Sequence, residues 1–212
     1  MSRRVIPIVL GLLIICQLAS SEVRFGLQAG TNIGSLSGAD EWTWRGRVLG
    51  GLCADVELSE HFQLAVHVNY CEKWASRRGY MDGDPPSRDV RVSIMQRYVD
   101  LPVFLRWRSS RDGFRWFGEV GPSLGRMISS NVEWMEPGSR TIQSSAWESF
   151  HRTDLSFVIG GGVEYGLWNA AAVTLSMHYA SALTGAFTSG DSARRLGLQI
   201  ALGFMFVPFQ RK

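Results

Sequence analysis

The chain has 212 residues, of which 45% are hydrophobic and only 19% charged, and its formal net charge is +3. Eight Trp and eleven Phe exclude a disordered chain, which would be poor in aromatics and rich in charge. A mean hydropathy of −0.01 excludes a bundle of transmembrane helices, since each span needs about 20 apolar residues.

The first element is an export signal. Met1-Ser2-Arg3-Arg4 is basic, Val5 to Leu18 is apolar, and Ala19-Ser20-Ser21 is small, the layout of a Sec-type signal peptide. Cleavage after Ser21 leaves 22–212 as one domain. Removing Arg3 and Arg4 from the 22 basic residues leaves 20 against 19 acidic ones, so the exported chain is nearly neutral. No basic stripe remains that would suit nucleic acid. Only Cys53 and Cys71 then remain as thiols, too few for a disulfide-built fold.

From Glu22 onward apolar residues recur at every second position, the period of a strand. The alternation predicts eight strands near 23–32, 44–58, 61–75, 92–108, 113–129, 153–167, 170–182 and 194–207. In the third, Phe62, Leu64, Val66, Val68 and Tyr70 alternate with Gln63, Ala65, His67, Asn69 and Cys71. In the fourth, Val99, Leu101, Val103, Leu105 and Trp107 alternate with Tyr98, Asp100, Pro102, Phe104 and Arg106. Pro102 and Pro122 cannot donate to a ladder, so bulges or local bends are expected there. Antiparallel pairing through the turn at 59–61 sets Cys53 opposite His67, four residues from Cys71. That offset is too great for a disulfide, and both thiols are expected free.

The connections alternate in length. Those at Ser59-Glu60, Ser109 to Asp112 and Trp168-Asn169 are short, whereas 33–43, 76–91, 130–152 and 183–193 are long and polar. An even strand count with short turns at one end and long loops at the other predicts an all-β fold, an eight-stranded antiparallel up-and-down transmembrane β-barrel. The polar parity is also rich in Gly, Ala and Ser, as a narrow interior requires. The apolar parity therefore faces lipid. Trp107, Trp116 and Trp168 flank short turns and Trp44 and Trp74 lie at the opposite strand ends, positions expected to form two membrane-interface girdles. The Gly160-Gly161-Gly162 run argues against reading Phe157 to Leu183 as a helix.

Phe25-Gly26-Leu27-Gln28-Ala29-Gly30-Thr31-Asn32, Tyr98 to Trp107, Phe117-Gly118-Glu119-Val120-Gly121-Pro122-Ser123-Leu124-Gly125 and Gly160 to Tyr165 resemble the motifs of the PorT-like, or porin-family, outer-membrane barrels of Gram-negative bacteria. The resemblance spans the exported chain. It implies a bacterial outer-membrane location, insertion by the barrel-assembly machinery, and for the founding member an association with a secretion system. Here Pro208-Phe209-Gln210-Arg211-Lys212 follows the last strand, so the chain departs from the usual terminal Phe.

The inward parity carries Arg47, Asp55, Glu57, Asp100, Arg106, Arg115, Glu119, Asp154, Glu164 and Arg195. Asp55, Asp100, Arg106, Arg115, Glu119 and Glu164 are taken as a lumen charge cluster. It forms either a polar ion path or, as eight strands leave little room, a salt-bridged plug. Ser176, His178 and Glu164 share the lumen without a nucleophile-elbow motif, and no enzymatic activity is expected. Asp82-Gly83-Asp84 and Asp89 lack the further ligands of a calcium loop, the His residues show no metal spacing, and no cofactor is expected. Arg77-Arg78, Arg126 and Arg194-Arg195 near the long-loop ends suit the phosphates of lipopolysaccharide. The reading is an integral outer-membrane barrel with a structural, adaptor or secretion-associated role carried by its long loops. Its expected partners are outer-membrane lipid and envelope or secretion proteins. A narrow pore for ions or small solutes is the alternative, and a lipid-modifying enzyme a remoter one.

Overall fold

The computed structural model describes residues 22–37, 44–81, 88–109, 113–136, 139–144, 150–168, 171–186 and 194–206. Residues 1–21, expected from the sequence to be an export signal, lie outside them. The described strands are β1 (Val23–Ser37), β2 (Arg45–Glu57), β3 (Phe62–Met81), β4 (Arg88–Arg108), β5 (Phe114–Glu136), β6 (Ser139–Ser144), β7 (Thr153–Trp168), β8 (Ala171–Gly185) and β9 (Arg194–Phe206). Neighbours pair antiparallel in the order β4-β3-β2-β1-β9-β8-β7-β5-β6, and β4 also pairs with β5. That last ladder closes eight strands into a barrel and leaves β6 outside the ring, paired to the far end of β5. Closure pairs each strand of the ring on both sides and removes free sheet edges there, which a barrel in hydrocarbon requires.

Alternation sorts the side chains as the sequence pattern predicts. Tyr98, Asp100, Phe104 and Arg106 are buried, while Val99, Leu101, Leu105 and Trp107 stand exposed on the outer wall. In β9 Arg195, Ala201 and Met205 are buried and Ile200, Leu202, Phe204 and Phe206 are exposed. This is an inside-out arrangement, with many large apolar side chains exposed on the outer wall and polar or charged residues making up about half of those buried.

Three features depart from the sequence reading. First, β3, β4 and β5 run past their expected ends, and the segment expected as a loop at 130–152 contains β6 and the end of β5. The 20 residues of β3 extend roughly 66 Å along the strand, or about 45 Å in height at a barrel tilt, against an apolar band about 25 Å tall. A sheet of β3 to β6 therefore projects beyond the band at the long-loop end. Second, the β4–β5 register shifts between Arg97↔Ser129 and Tyr98↔Met127, not at the prolines. The register is the same at Pro102↔Ser123 and Leu105↔Val120, so the ladder passes the prolines without an inserted residue. The extra residue near Ile128 reverses the parity, which puts Ser130 and Val132 inside with Met127.

Third, Trp74 is not part of an outer girdle. It is only 7% exposed. Pairing of β3 with β2 ends at Leu49↔Cys71, and beyond it the β3 backbone lies against β1. Asn32 Nδ2 donates to the Glu72 carbonyl at 3.0 Å, and a Cβ on Gly34 would sit 3.5 Å from the Trp74 carbonyl oxygen. The Arg45 guanidinium covers the Trp74 ring at 4.4 Å.

Cys53 stands opposite His67 in the β2–β3 ladder, and both cysteines are free and buried. Opposed antiparallel residues have the Cα separation a disulfide accepts. His67→Cys is therefore expected to crosslink with Cys53 in oxidised membranes, shifting mobility on non-reducing gels, while the parent chain forms no such bond. A Cys71 crosslink in place of the Cys53 one would contradict the register.

Candidate functional site

The lumen holds two ionic clusters separated by an aromatic layer. The cluster at the short-turn end is centred on Arg106, which reaches Asp55 and Glu119, each at 2.5 Å. Its guanidinium also lies 4.6 Å from the centre of the Phe117 ring. Arg24 bonds both oxygens of Glu164 at 2.9 and 3.0 Å and reaches Asp55 at 3.2 Å. Arg115 adds a second cation to Glu164 at 3.3 Å. Gln63 accepts from Arg24 at 3.2 Å, and Arg108 pairs with Glu57 at the rim. Arginine suits such a site because its several N–H donors let one guanidinium bridge two carboxylates, Arg24 joining Glu164 to Asp55 and Arg106 joining Asp55 to Glu119.

The aromatic layer follows. Phe104 stacks on His178 with centroids 5.4 Å apart and meets His67 edge-on at 5.3 Å. His178 Nε2 contacts Glu119, tying this layer to the first cluster.

The cluster at the long-loop end is centred on Lys73. Its ammonium lies 3.2 Å from Asp100 and 2.9 Å from Asp154, and 4.3 Å from the centre of the Tyr98 ring. Cys71 Sγ donates to Asp100 at 3.0 Å, and Thr184 Oγ1 to Asp154 at 3.1 Å. Arg195 donates to Gln96 Oε1 at 3.2 Å and to the Ala186 carbonyl at 3.1 Å.

The six expected lumen residues are therefore all inside but not in one place. Asp55, Arg106, Arg115, Glu119 and Glu164 form the lower cluster, and Asp100 belongs to the upper one. The sequence reading did not single out Arg24, Lys73, Gln63 or Tyr98 as members of the site. Parity alone could have found Arg24, two residues before the inward Gly26, and Lys73, two after the inward Cys71. Ser176, His178 and Glu164 do not assemble: Glu164 is held by Arg24 and Arg115, His178 by Glu119, and Ser176 Oγ faces the Ala201 carbonyl at 3.5 Å. No group of three His, Cys, Asp or Glu able to hold a metal occurs among the described residues.

On the outer wall Trp44, Trp107 and Trp116 are each about half exposed. The backbone of Trp168 ends β7, and its side chain lies outside those described. Arg126 donates to Thr153 Oγ1 at 3.2 Å. The Asp82-Gly83-Asp84 turn is outside the described residues, as are the side chains of Arg77, Arg78 and Asp89.

Comparison with solved structures gives several small outer-membrane barrels. A major outer membrane protein from Thermus thermophilus is similar at 12% identity and a TM-score of 0.45, over 87% of this chain and 98% of that one. Ail, the attachment invasion locus protein of Yersinia pestis, solved with the heparin analogue sucrose octasulfate, is similar at 11% identity and 0.44, over 87% and 99%. Neisserial surface protein A is similar at 12% identity and 0.43, over 86% and 96%. No curated protein sequence matches the chain. The sequence profile of the outer membrane protein beta-barrel domain matches residues 16–188. With that match and the closed, inside-out barrel, the chain belongs to the outer membrane protein beta-barrel domain family.

Proposed function

We propose that this outer-membrane barrel is a plugged scaffold that carries a sheet beyond the membrane as a docking platform for envelope or secretion proteins. The observation that carries this reading is a buried ionic network that spans the bore, in which Arg24 on β1 reaches Glu164 on β7 and Asp55 on β2, and Arg106 on β4 joins Asp55 to Glu119 on β5. Such a cluster fills a bore that eight strands already make narrow. The useful surface then lies at the long-loop end, where β3 to β6 project. In this reading the exported chain is inserted by the barrel-assembly machinery with its long-loop end outward, and its basic residues there meet lipopolysaccharide.

The test pairs two measurements on the full chain. Crosslinking and pull-down from native membranes should recover a partner that is lost when residues 137–149 are replaced by a Gly-Ser linker. The heat-dependent gel shift of the folded barrel should persist in that variant. In planar bilayers the parent chain should give no conductance steps. Steps that change with Arg106→Ala would replace the plugged scaffold by the narrow-pore reading.

A further inference from the structure

Between the aromatic layer and the long loops the lumen opens into a chamber of about 40 Å³. A water needs roughly 10–15 Å³ of such space and takes up about 30 Å³ in the liquid. The chamber thus holds about three waters, roughly the bulk of a two- to three-carbon polyol. Phe104 and Val158 line it on the side of the aromatic layer, and Trp74 and Phe150 toward the long loops.

Its charges balance, two cations against two carboxylates. Lys73 sits between Asp100 and Asp154, and Arg195 is held by Gln96 Oε1 and the Ala186 carbonyl, with its Nη1 3.8 Å from Asp154 and without a hydrogen-bond partner. Neutral hydrogen-bonding groups are left over beside that Nη1. Gln96 is 5% exposed, faces the chamber, and its Nε2 has no partner. Ser123, Ser156 and Gln199 also line the chamber. A buried amide donor without a partner is costly, and a ligand oxygen at this position removes that cost.

We propose that the chamber is a binding site for a small neutral polyol the size of glycerol, admitted from the long-loop end. Balanced charge disfavours an ion, and leftover amide and hydroxyl groups favour a ligand with several hydroxyls. Apolar faces from Phe104, Val158 and Trp74 suit its C–H surface. With entry from the long-loop end, the ligand is a free solute.

Glycerol is the probe. Saturation-transfer NMR on the full barrel, purified in detergent without glycerol, should show saturable transfer to it. Gln96→Met, which removes the free amide, should weaken binding at least tenfold, and Ser156→Leu, which fills the space, should abolish it. Lactate and ethanolammonium, ions of similar size, should bind at least tenfold more weakly than glycerol. The gel shift identifies folded variants, and Gln96→Met decides alone if Ser156→Leu does not fold. Absence of saturable transfer to the parent barrel overturns the proposal, leaving a water-filled chamber. Equal binding of lactate, or transfer undiminished in folded variants, overturns it too.

Discussion

Arg106→Ala is expected to lower the unfolding free energy of the barrel by about 3–5 kcal/mol, the cost of removing one partner from a buried ion pair. Arg106 is only 5% exposed, and Asp55 and Glu119 are buried as deeply. Truncation leaves two carboxylates facing each other across a dry bore, with Arg24 and His178 as their remaining partners. The control is Arg108→Ala. Arg108 pairs with a partly exposed Glu57 at the rim, where such a pair contributes about 1 kcal/mol or less. Urea titration of both variants refolded into phospholipid vesicles, followed by Trp fluorescence, measures the difference. Adding Glu119→Gln to Arg106→Met should recover part of the loss, because the orphaned charge is the main penalty. Equal losses for Arg106→Ala and Arg108→Ala would mean that the lumen is hydrated and the cluster is not a plug.

Gly121→Ala is expected to cost about 3 kcal/mol, the upper end of what overpacking usually costs. A Cβ at Gly121 would collide with the Val103 carbonyl oxygen and sit 2.9 Å from the Val103 carbonyl carbon and 3.1 Å from the Phe104 Cα. These are backbone atoms, which can move away only by separating β4 from β5, neighbouring strands of the ring. The contrast is Gly118→Ala on the outer wall, where the nearest atom lies 4.0 Å away. A change within about 1 kcal/mol, in the stabilising direction, is expected there, since alanine restricts the unfolded chain more than glycine does. The fraction of barrel showing the heat-dependent gel shift after refolding separates the two, and equal yields would refute the close-packing argument.

Much of the wall was legible in the sequence because a strand with lipid on one side must alternate. β4 and β9 therefore revealed both their existence and their inner faces, and the short turn after β2 fixed Cys53 opposite His67. The projecting sheet was illegible for the same reason. Outside the bilayer nothing demands an apolar face, so the ends of β3 and β5 and all of β6 read as polar loop. Trp74 misled because its position in the alternation is outward, and only the divergence of β3 from β2 covers it. Parity also says which charges are inside without saying which meet. Arg24 and Glu164 are not opposed in any ladder. They meet across the bore, which depends on tilt and strand stagger that no local pattern encodes.

That same pair carries a consequence for assembly. Arg24 and Glu164 lie 140 positions apart in the chain, on β1 and β7, and β1 joins the later strands only through its ladder with β9. Until that seam forms, each charge has only its ladder neighbour, Asp55 for Arg24 and Arg115 for Glu164, and the contact between the two is not made. The ion pair thus rewards the final step alone, working as a latch that makes insertion cooperative and reopening slow.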